Sequence, residues 1–320
     1  MMILFYVVLA VAALFACLFV YTVRTVRRVE AALPPDGRFV DVPGARLHVV
    51  ERGQGPALLL VHGLSGQLGN FGYGMIEPLA RDFRVVAVDR PGSGYSVRSP
   101  GARADLAGQA DVLAALIDKL GLERPLVVGH SLGGAIALAL AIGHPDRVGG
   151  LALLAPLTHP AEEIPLVFRP LAMRRHWVRQ FVAWTLAVPM SDLRRDEVLE
   201  IVFGPDPVPV DFAMRGGGML ALRPSHFVAA SEDLVAGAPS LAPLVARYAE
   251  LRRPVSILFG REDRILDPAA NGEAFVAKVE GATLAMVPGG HMLPLTAPGT
   301  CVDFVREAAA RLRDAESATA

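Results

Sequence analysis

The chain has 320 residues, enough for a full hydrophobic core, and its net charge of −1 gives no long-range pull toward nucleic acid or an acidic partner. Its two cysteines, Cys17 and Cys301, supply no disulfide framework. Apolar residues make up 52% of the sequence and mean hydropathy is +0.41, so a membrane segment is the first thing to look for.

The N-terminus supplies one. Residues 1–22, MMILFYVVLAVAALFACLFVYT, contain no charged side chain. As a helix they would span about 33 Å at ~1.5 Å per residue, against a bilayer core of ~30 Å. Tyr21 stands where an interfacial aromatic belongs, and Arg24, Arg27 and Arg28 follow at once. No Lys or Arg precedes the run, which argues against a cleaved signal peptide. The positive-inside rule keeps the arginines, and with them the folded part, in the cytoplasm. The expectation is a single-pass membrane helix over 1–23 and a basic juxtamembrane linker over 24–37. Its closing AALPPDG carries two prolines that stop the helix. Three other readings compete: an anchor of opposite orientation, a helix buried in the globular fold, and a lipoprotein signal at Leu14-Phe15-Ala16-Cys17. The last fits poorly, because Phe15 is out of place and a basic leader is missing.

Strand-like runs follow. Residues 38–42 and 46–52 suggest a hairpin around Pro43-Gly44. Apolar runs come at 57–61, 84–88, 125–128, 151–154, 255–259 and 283–287. Most are continuously apolar, as in strands covered on both faces. Helical patterns lie between them at 106–120, 133–142, 268–279 and 297–312. The alternation implies an α/β fold with a mostly parallel central sheet and helices on both faces. From about 160 to 248 no strand is convincing. That stretch holds Trp177, Phe181, Trp184, Met190, Phe203, Met214, Met219 and a flexible-looking Arg215-Gly216-Gly217-Gly218. It is expected to be an inserted helical cap over 159–248 that contributes to a substrate pocket, between core segments 38–158 and 249–320. Packing alone would explain each of its apolar residues equally well.

The chemistry centres on Gly129-His130-Ser131-Leu132-Gly133, G-x-S-x-G after an apolar strand and before a helix. The glycines permit a sharp turn that lifts a serine hydroxyl to a helix N-terminus, where the dipole favours negative charge. A serine needs a base. Of the histidines, His291 sits in a glycine-rich loop straight after the last strand-like run. His62 suits a loop-holding role, and His130, next to Ser131, should point elsewhere. His144, His159, His176 and His226 lie at a helix end or near the cap. The orienting acid should follow the preceding strand. Asp263 fits, whereas Asp267 before Pro268 reads as a helix cap and Glu262 has no such turn position. His62-Gly63-Leu64-Ser65-Gly66 reads as an oxyanion loop, with donors expected from the backbone N–H groups of Leu64 and Leu132.

With these parts in place, residues 37–313 resemble the α/β-hydrolase superfamily with a helical cap. The matching residues are His62-Gly63, Asp89-Arg90-Pro91-Gly92-Ser93-Gly94-Tyr95-Ser96, Gly129 to Gly133, Gly260 with Asp263, and Gly290-His291. The resemblance implies a structural role for the Asp89–Ser96 stretch. The order Ser131, Asp263, His291 is that of its nucleophile-elbow hydrolases. Serine at the nucleophile position argues against its epoxide hydrolases and dehalogenases, which use aspartate. Gly-His-Ser-Leu-Gly resembles its esterases and lipases.

The expected function is therefore hydrolysis of a small, hydrophobic carboxylic ester by Ser131, His291 and Asp263. The partners are the ester and the membrane, without nucleic acid. Carbon–carbon bond hydrolases of ring-cleavage dioxo-acids and cofactor-free perhydrolases of the same fold are alternatives. For a dioxo-acid, Arg174, Arg175 and Arg179 are available cations. A catalytically inactive, membrane-tethered binding protein is the remaining reading. No metal-ligand spacing or nucleotide loop calls for a cofactor.

Overall fold

The apolar runs do become strands of one sheet. The computed structural model describes residues 1–161 and 163–317. The strands are β1 Arg38–Val42, β2 Ala45–Arg52, β3 Ala57–Val61, β4 Arg84–Val88, β5 Val97–Arg98, β6 Leu126–His130, β7 Gly150–Leu154, β8 Val255–Gly260 and β9 Thr283–Val287. Their order is β1-β2-β4-β3-β6-β7-β8-β9, with β5 on β2. Pairings of β2 with β1, β4 and β5 are antiparallel, and those from β4 through β9 are parallel. Every residue of β6, β7 and β8 is buried. Helices on both faces account for that, and for the absence of polar alternation in the sequence.

The helix Leu106–Leu120 begins at Asp105, whose side chain accepts from Gly108 N at 2.7 Å, and ends at Gly121 with φ 58°. The helix Leu132–Gly143 is buried along almost its whole length. The helix Pro298–Ser317 packs on the opposite face, with Val302 and Val305 in a second apolar core beside Leu60 and Val128. The expected helix at 268–279 is irregular: a π-helical turn at Ala269–Glu273 runs into a short helix at Ala274–Val276. Gly272 lies in that turn, close under Phe259 and Leu284.

The N-terminal helix is longer than the sequence suggests, running over Met2–Ala32. It is one helix long and apolar enough to cross a membrane. The proposed linker over 24–37 is corrected: Arg24, Arg27 and Arg28 are helical, and the break comes at Leu33, ahead of Pro34 and Pro35. No breaker precedes those prolines, so nothing ends the helix sooner. Its first 14 residues are exposed on every side. From Phe15 onward one stripe, Phe15, Leu18, Thr22, Val26 and Val29, turns against the rest of the protein. Phe15 stacks on Phe181 at 4.9 Å between ring centroids, and Phe19 on Trp184 at 5.7 Å. The Tyr21 hydroxyl donates to Asp192 Oδ2 at 2.5 Å, and Glu30 pairs with Arg223 at 3.0 Å.

Between β7 and β8 the chain makes a helical insertion with no strand among the described residues. Its main helices are His176–Thr185, Ala187–Leu193, Arg195–Phe203, Pro224–Gly237 and Leu241–Ala246. Of the large apolar residues singled out there, Phe203 is buried, but Trp177, Phe181, Trp184, Met190 and Met214 are exposed. They lie outside the buried core, and two of them, Phe181 and Trp184, meet the N-terminal helix. The triple glycine is pinned rather than free: Gly216 O accepts from Gln67 Nε2 at 2.6 Å and Asn70 Nδ2 at 3.0 Å.

Candidate active site

Ser131 sits at the tip of the β6 turn with φ 54° and ψ −120°, a conformation that costs a non-glycine residue about 1–3 kcal/mol. The surrounding backbone enforces it. Ser131 N donates to Leu154 O at 3.1 Å, and Ser131 O accepts from Leu157 N at 3.0 Å. The turn is therefore strapped to the end of β7. A Cβ at Gly133 would lie 2.1 Å from Val61 O, which no side chain could relieve. A Cβ at Gly63 would lie 2.9 Å from Ser131 Cβ, so the loop after β3 passes directly beside the serine.

His291 and Asp263 come together from the loops after β9 and β8. His291 Nδ1 lies 2.7 Å from Asp263 Oδ2, and both side chains are buried. The second carboxylate oxygen, Oδ1, accepts from Ile265 N at 2.8 Å and Leu266 N at 2.9 Å. With Asp263 ionised, His291 carries its proton on Nδ1 and leaves Nε2 as a base. Among the described residues no hydrogen bond joins Ser131 Oγ to His291. The other two acids are engaged with nearby backbone instead. Asp267 Oδ1 accepts from Ala269 N at 2.8 Å, and Glu262 Oε2 accepts from Gly289 N at 2.7 Å, bracing the histidine loop.

Leu132 is the first residue of its helix, so its N–H has no intrahelical acceptor. The N–H of Leu64 likewise finds no acceptor among the described residues. The Leu64 loop is shaped by His62 and Arg90. Arg90 N donates to His62 Nε2 at 2.9 Å, which puts the imidazole proton on Nδ1, where it is donated to Gly63 O at 2.9 Å. Arg90 is itself fully buried and donates to His62 O and to Gly63 O, both at 2.9 Å. The same guanidinium reaches Gln109 Oε1 at 2.7 Å and Asp233 Oδ2 at 2.5 Å. Asp233 lies on the insertion helix Pro224–Gly237, where it also pairs with Arg98. Sequence reasoning gave the Asp89–Ser96 stretch only a turn role, and missed this link. A cation directly after an apolar strand, at the end of the sheet where the other site loops emerge, was the available signal. Asp89 keeps the turn role: it accepts from Leu68 N at 2.8 Å, from Tyr95 N at 2.9 Å, and pairs with His48 at 2.7 Å.

His130 does not point away. Its Nε2–H donates to His291 O at 3.0 Å and its ring lies 5.0 Å from that of His291, so it braces the base's backbone. Of the arginines offered for a dioxo-acid, Arg174 and Arg175 are exposed. Arg179 is committed to Ser231 Oγ at 2.9 Å, Glu232 Oε1 at 3.1 Å and Met173 O at 2.6 Å. His226, on the same insertion helix as Asp233, is buried, and its polar neighbour is the Ser65 backbone, too poorly aligned for a full hydrogen bond.

Burial drives His62 well below its usual pKa, with Arg90 adding to the effect, pushes His130 down to about 3, and lowers His226. A histidine depressed in the folded state adds stability that is complete above its unfolded pKa and lost as pH falls below it. His48 works the other way. Burial opposes its charge, but Asp89 outweighs burial and raises its pKa, so its contribution is lost as pH rises. With His159 also lowered by burial, four depressed histidines against one raised one predict a melting temperature that drops between pH ~6.5 and ~5, before most carboxylates titrate. Thermal unfolding across that range reads this out, and a flat profile would contradict it.

A family model described as alpha/beta hydrolase fold matches residues 56–298. The chain belongs to the α/β-hydrolase fold family. A 2-hydroxy-6-oxononadienedioate/2-hydroxy-6-oxononatrienedioate hydrolase of Paraburkholderia phymatum is 30% identical over 238 residues, 69% of this chain and 76% of the relative. The chain spans about a third to a half of the length of the first curated relatives it matches. Among solved structures, an α/β-hydrolase fold protein from Burkholderia ambifaria superposes with a TM-score of 0.70 at 26% identity, over 84% of this chain and 96% of that one. A bacterial membrane phospholipase A shares the fold over 98% of both chains, with a TM-score of 0.66 at 24% identity. The hydrolase fold read from the motifs is thus the fold of the chain.

Proposed function

We propose that this α/β hydrolase is a serine esterase held to a membrane by its N-terminal helix, and that it cleaves carboxylic esters with a hydrophobic acyl or alkyl group. The observation that supports the reading is the buried His291–Asp263 pair on the loops after β9 and β8, in the parallel sheet whose β6 ends at a serine in a strained turn at a helix N-terminus. In this reading His291 Nε2 takes the proton of Ser131 as its oxygen attacks the carbonyl. Asp263 holds the imidazole and stabilises the imidazolium, and the N–H groups of Leu64 and Leu132 receive the oxyanion. His291 protonates the leaving alcohol, then activates water to release the acid. The helical insertion serves as the cap over this site. The helix spans the membrane with Arg24, Arg27 and Arg28 on the cytoplasmic side, next to the catalytic domain.

Carbon–carbon bond cleavage is the second reading, favoured by the 30% identity to a hydrolase named for a dioxo-acid substrate. It lacks the cation sought in the sequence, since Arg179 is already bonded and Arg174 and Arg175 are exposed. A chain-length series of p-nitrophenyl esters, a ring-cleavage dioxo-acid and a fluorophosphonate label, tried on the protein and on Ser131→Ala, separate the cases. Ester turnover that disappears in the variant, together with its labelling, is the expected result. Labelling without ester turnover, with dioxo-acid cleavage, moves the second reading to the front. Turnover that persists in Ser131→Ala overturns the nucleophile, and a protein that neither labels nor turns over is a binding protein.

A further inference from the structure

We propose that the helical insertion is immersed in the lipid surface, with the outer face of the helices His176–Thr185 and Ala187–Leu193 at the level of the headgroups and upper acyl chains. The proposal rests on the reading of the N-terminal helix as a membrane span. Its argument is one of depth. Arg24 carries the first charged side chain of the helix and marks the membrane boundary. Measured back from it at ~1.5 Å per residue, a hydrocarbon core of ~30 Å takes about 20 residues. Phe15, Phe19 and Tyr21 stand in the inner part of that stretch, about 5 to 14 Å from Arg24 along the helix.

Those residues are where the insertion docks. Phe15 packs on Phe181, Phe19 on Trp184, and Tyr21 bonds Asp192. Whatever depth this part of the helix reaches, the adjoining helices reach with it. Their outer surface suits the depth: Trp177 is 65% exposed, Phe181 45%, Met190 46% and Trp184 38%. Facing water, large apolar side chains exposed together on one helix face, Trp177, Phe181 and Trp184 at i, i+4 and i+7, call for an explanation. Beside a bilayer it is an amphipathic wedge of the kind that sinks ~5–10 Å into the headgroup and acyl boundary, a depth comparable with that of Phe19 relative to Arg24. Tryptophan favours that boundary, and the exposed Arg174 and Arg175 lie one turn before Trp177, where they can meet lipid phosphates.

Trp177 and Trp184 are the only tryptophans in the chain, so intrinsic emission reports on this face alone. The full chain is reconstituted in phosphatidylcholine vesicles, floated on a density gradient, and compared in lipids brominated near the headgroup or near the chain end. The expected result is flotation with emission lost most strongly to the shallow bromines. Trp177→Phe and Trp184→Phe assign the loss to each ring. Flotation with emission unchanged in either brominated lipid overturns the immersed face and leaves the anchor standing. Failure to float in a protein that still takes a fluorophosphonate label overturns the anchor, and this proposal with it.

Discussion

Asp263→Asn lowers kcat by about 10⁴-fold while leaving the fold intact, if the proposed triad operates. The reason lies in the two faces of the carboxylate. Oδ1 accepts from the backbone N–H groups of Ile265 and Leu266, and Oδ2 faces His291 Nδ1. An asparagine can satisfy both N–H groups only with its oxygen, which turns its NH₂ toward the imidazole. His291 Nδ1 must then accept, its proton moves to Nε2, and the base has no lone pair for the serine. Measured kcat on the best ester of the panel, with thermal unfolding as a control for folding, tests this. A loss under tenfold would mean that the pair orients nothing essential. A large loss with a collapsed melting temperature would assign the effect to folding instead.

The second large effect is expected at Arg90, which joins the loop after β3 to the insertion. Removing it as Arg90→Met takes the side-chain donor from the His62 carbonyl, one of three donors from the Gly63 carbonyl, and part of the compensation from Asp233, all in the interior. Breaking a buried ion pair from one side costs about 3–5 kcal/mol. For a chain of this size that lowers the melting temperature by about 10 °C. Arg90→Lys separates charge from geometry. It keeps the cation opposite Asp233 but cannot reach two carbonyls and a carboxylate from one planar fork. Most of the stability should return while kcat stays low, because the Leu64 N–H is no longer aimed. A lysine variant with full kcat would show that the loop holds its shape unaided. An Arg90→Met melting temperature within a degree or two of the parent would remove the network from the stability account.

What could be read in the sequence follows the range of the forces involved. Strands buried on both faces write themselves as unbroken apolar runs, so β3, β4, β6, β7 and β8 were visible. The strained turn at Ser131 needs glycine on either side, and that too is local. His291 and Asp263 were found by where they stand relative to strand ends, which a parallel sheet converts into proximity. The two-residue β5 is too short to leave a periodic trace. The Arg90–Asp233 contact joins residues 143 positions apart, and each is an ordinary surface type on its own. The outward set of Trp177, Phe181 and Trp184 could not be anticipated either: a helical period reveals an apolar face but not what stands against it. The stretch Arg215-Gly216-Gly217-Gly218 looked flexible because glycine is permissive. Here that permissiveness lets the backbone come close enough to meet Gln67 and Asn70.

The connection from β7 to β8 has to cross the sheet, since the two strands are parallel. The return leg is short: Leu241, Leu244 and Tyr248 are buried in the main core and carry the chain back to Val255. The stretch from about residue 160 to Gly237 is additional to that crossover, whereas Leu157 and Thr158 still bond the core through Ser131 and Asn271. Natural variation or a chimera can therefore exchange this stretch for another and leave the strand register untouched. One condition travels with any such exchange. The incoming segment has to bring an acid to the place of Asp233, or the loop that carries Leu64 loses a support that belongs to the donor and not to the host.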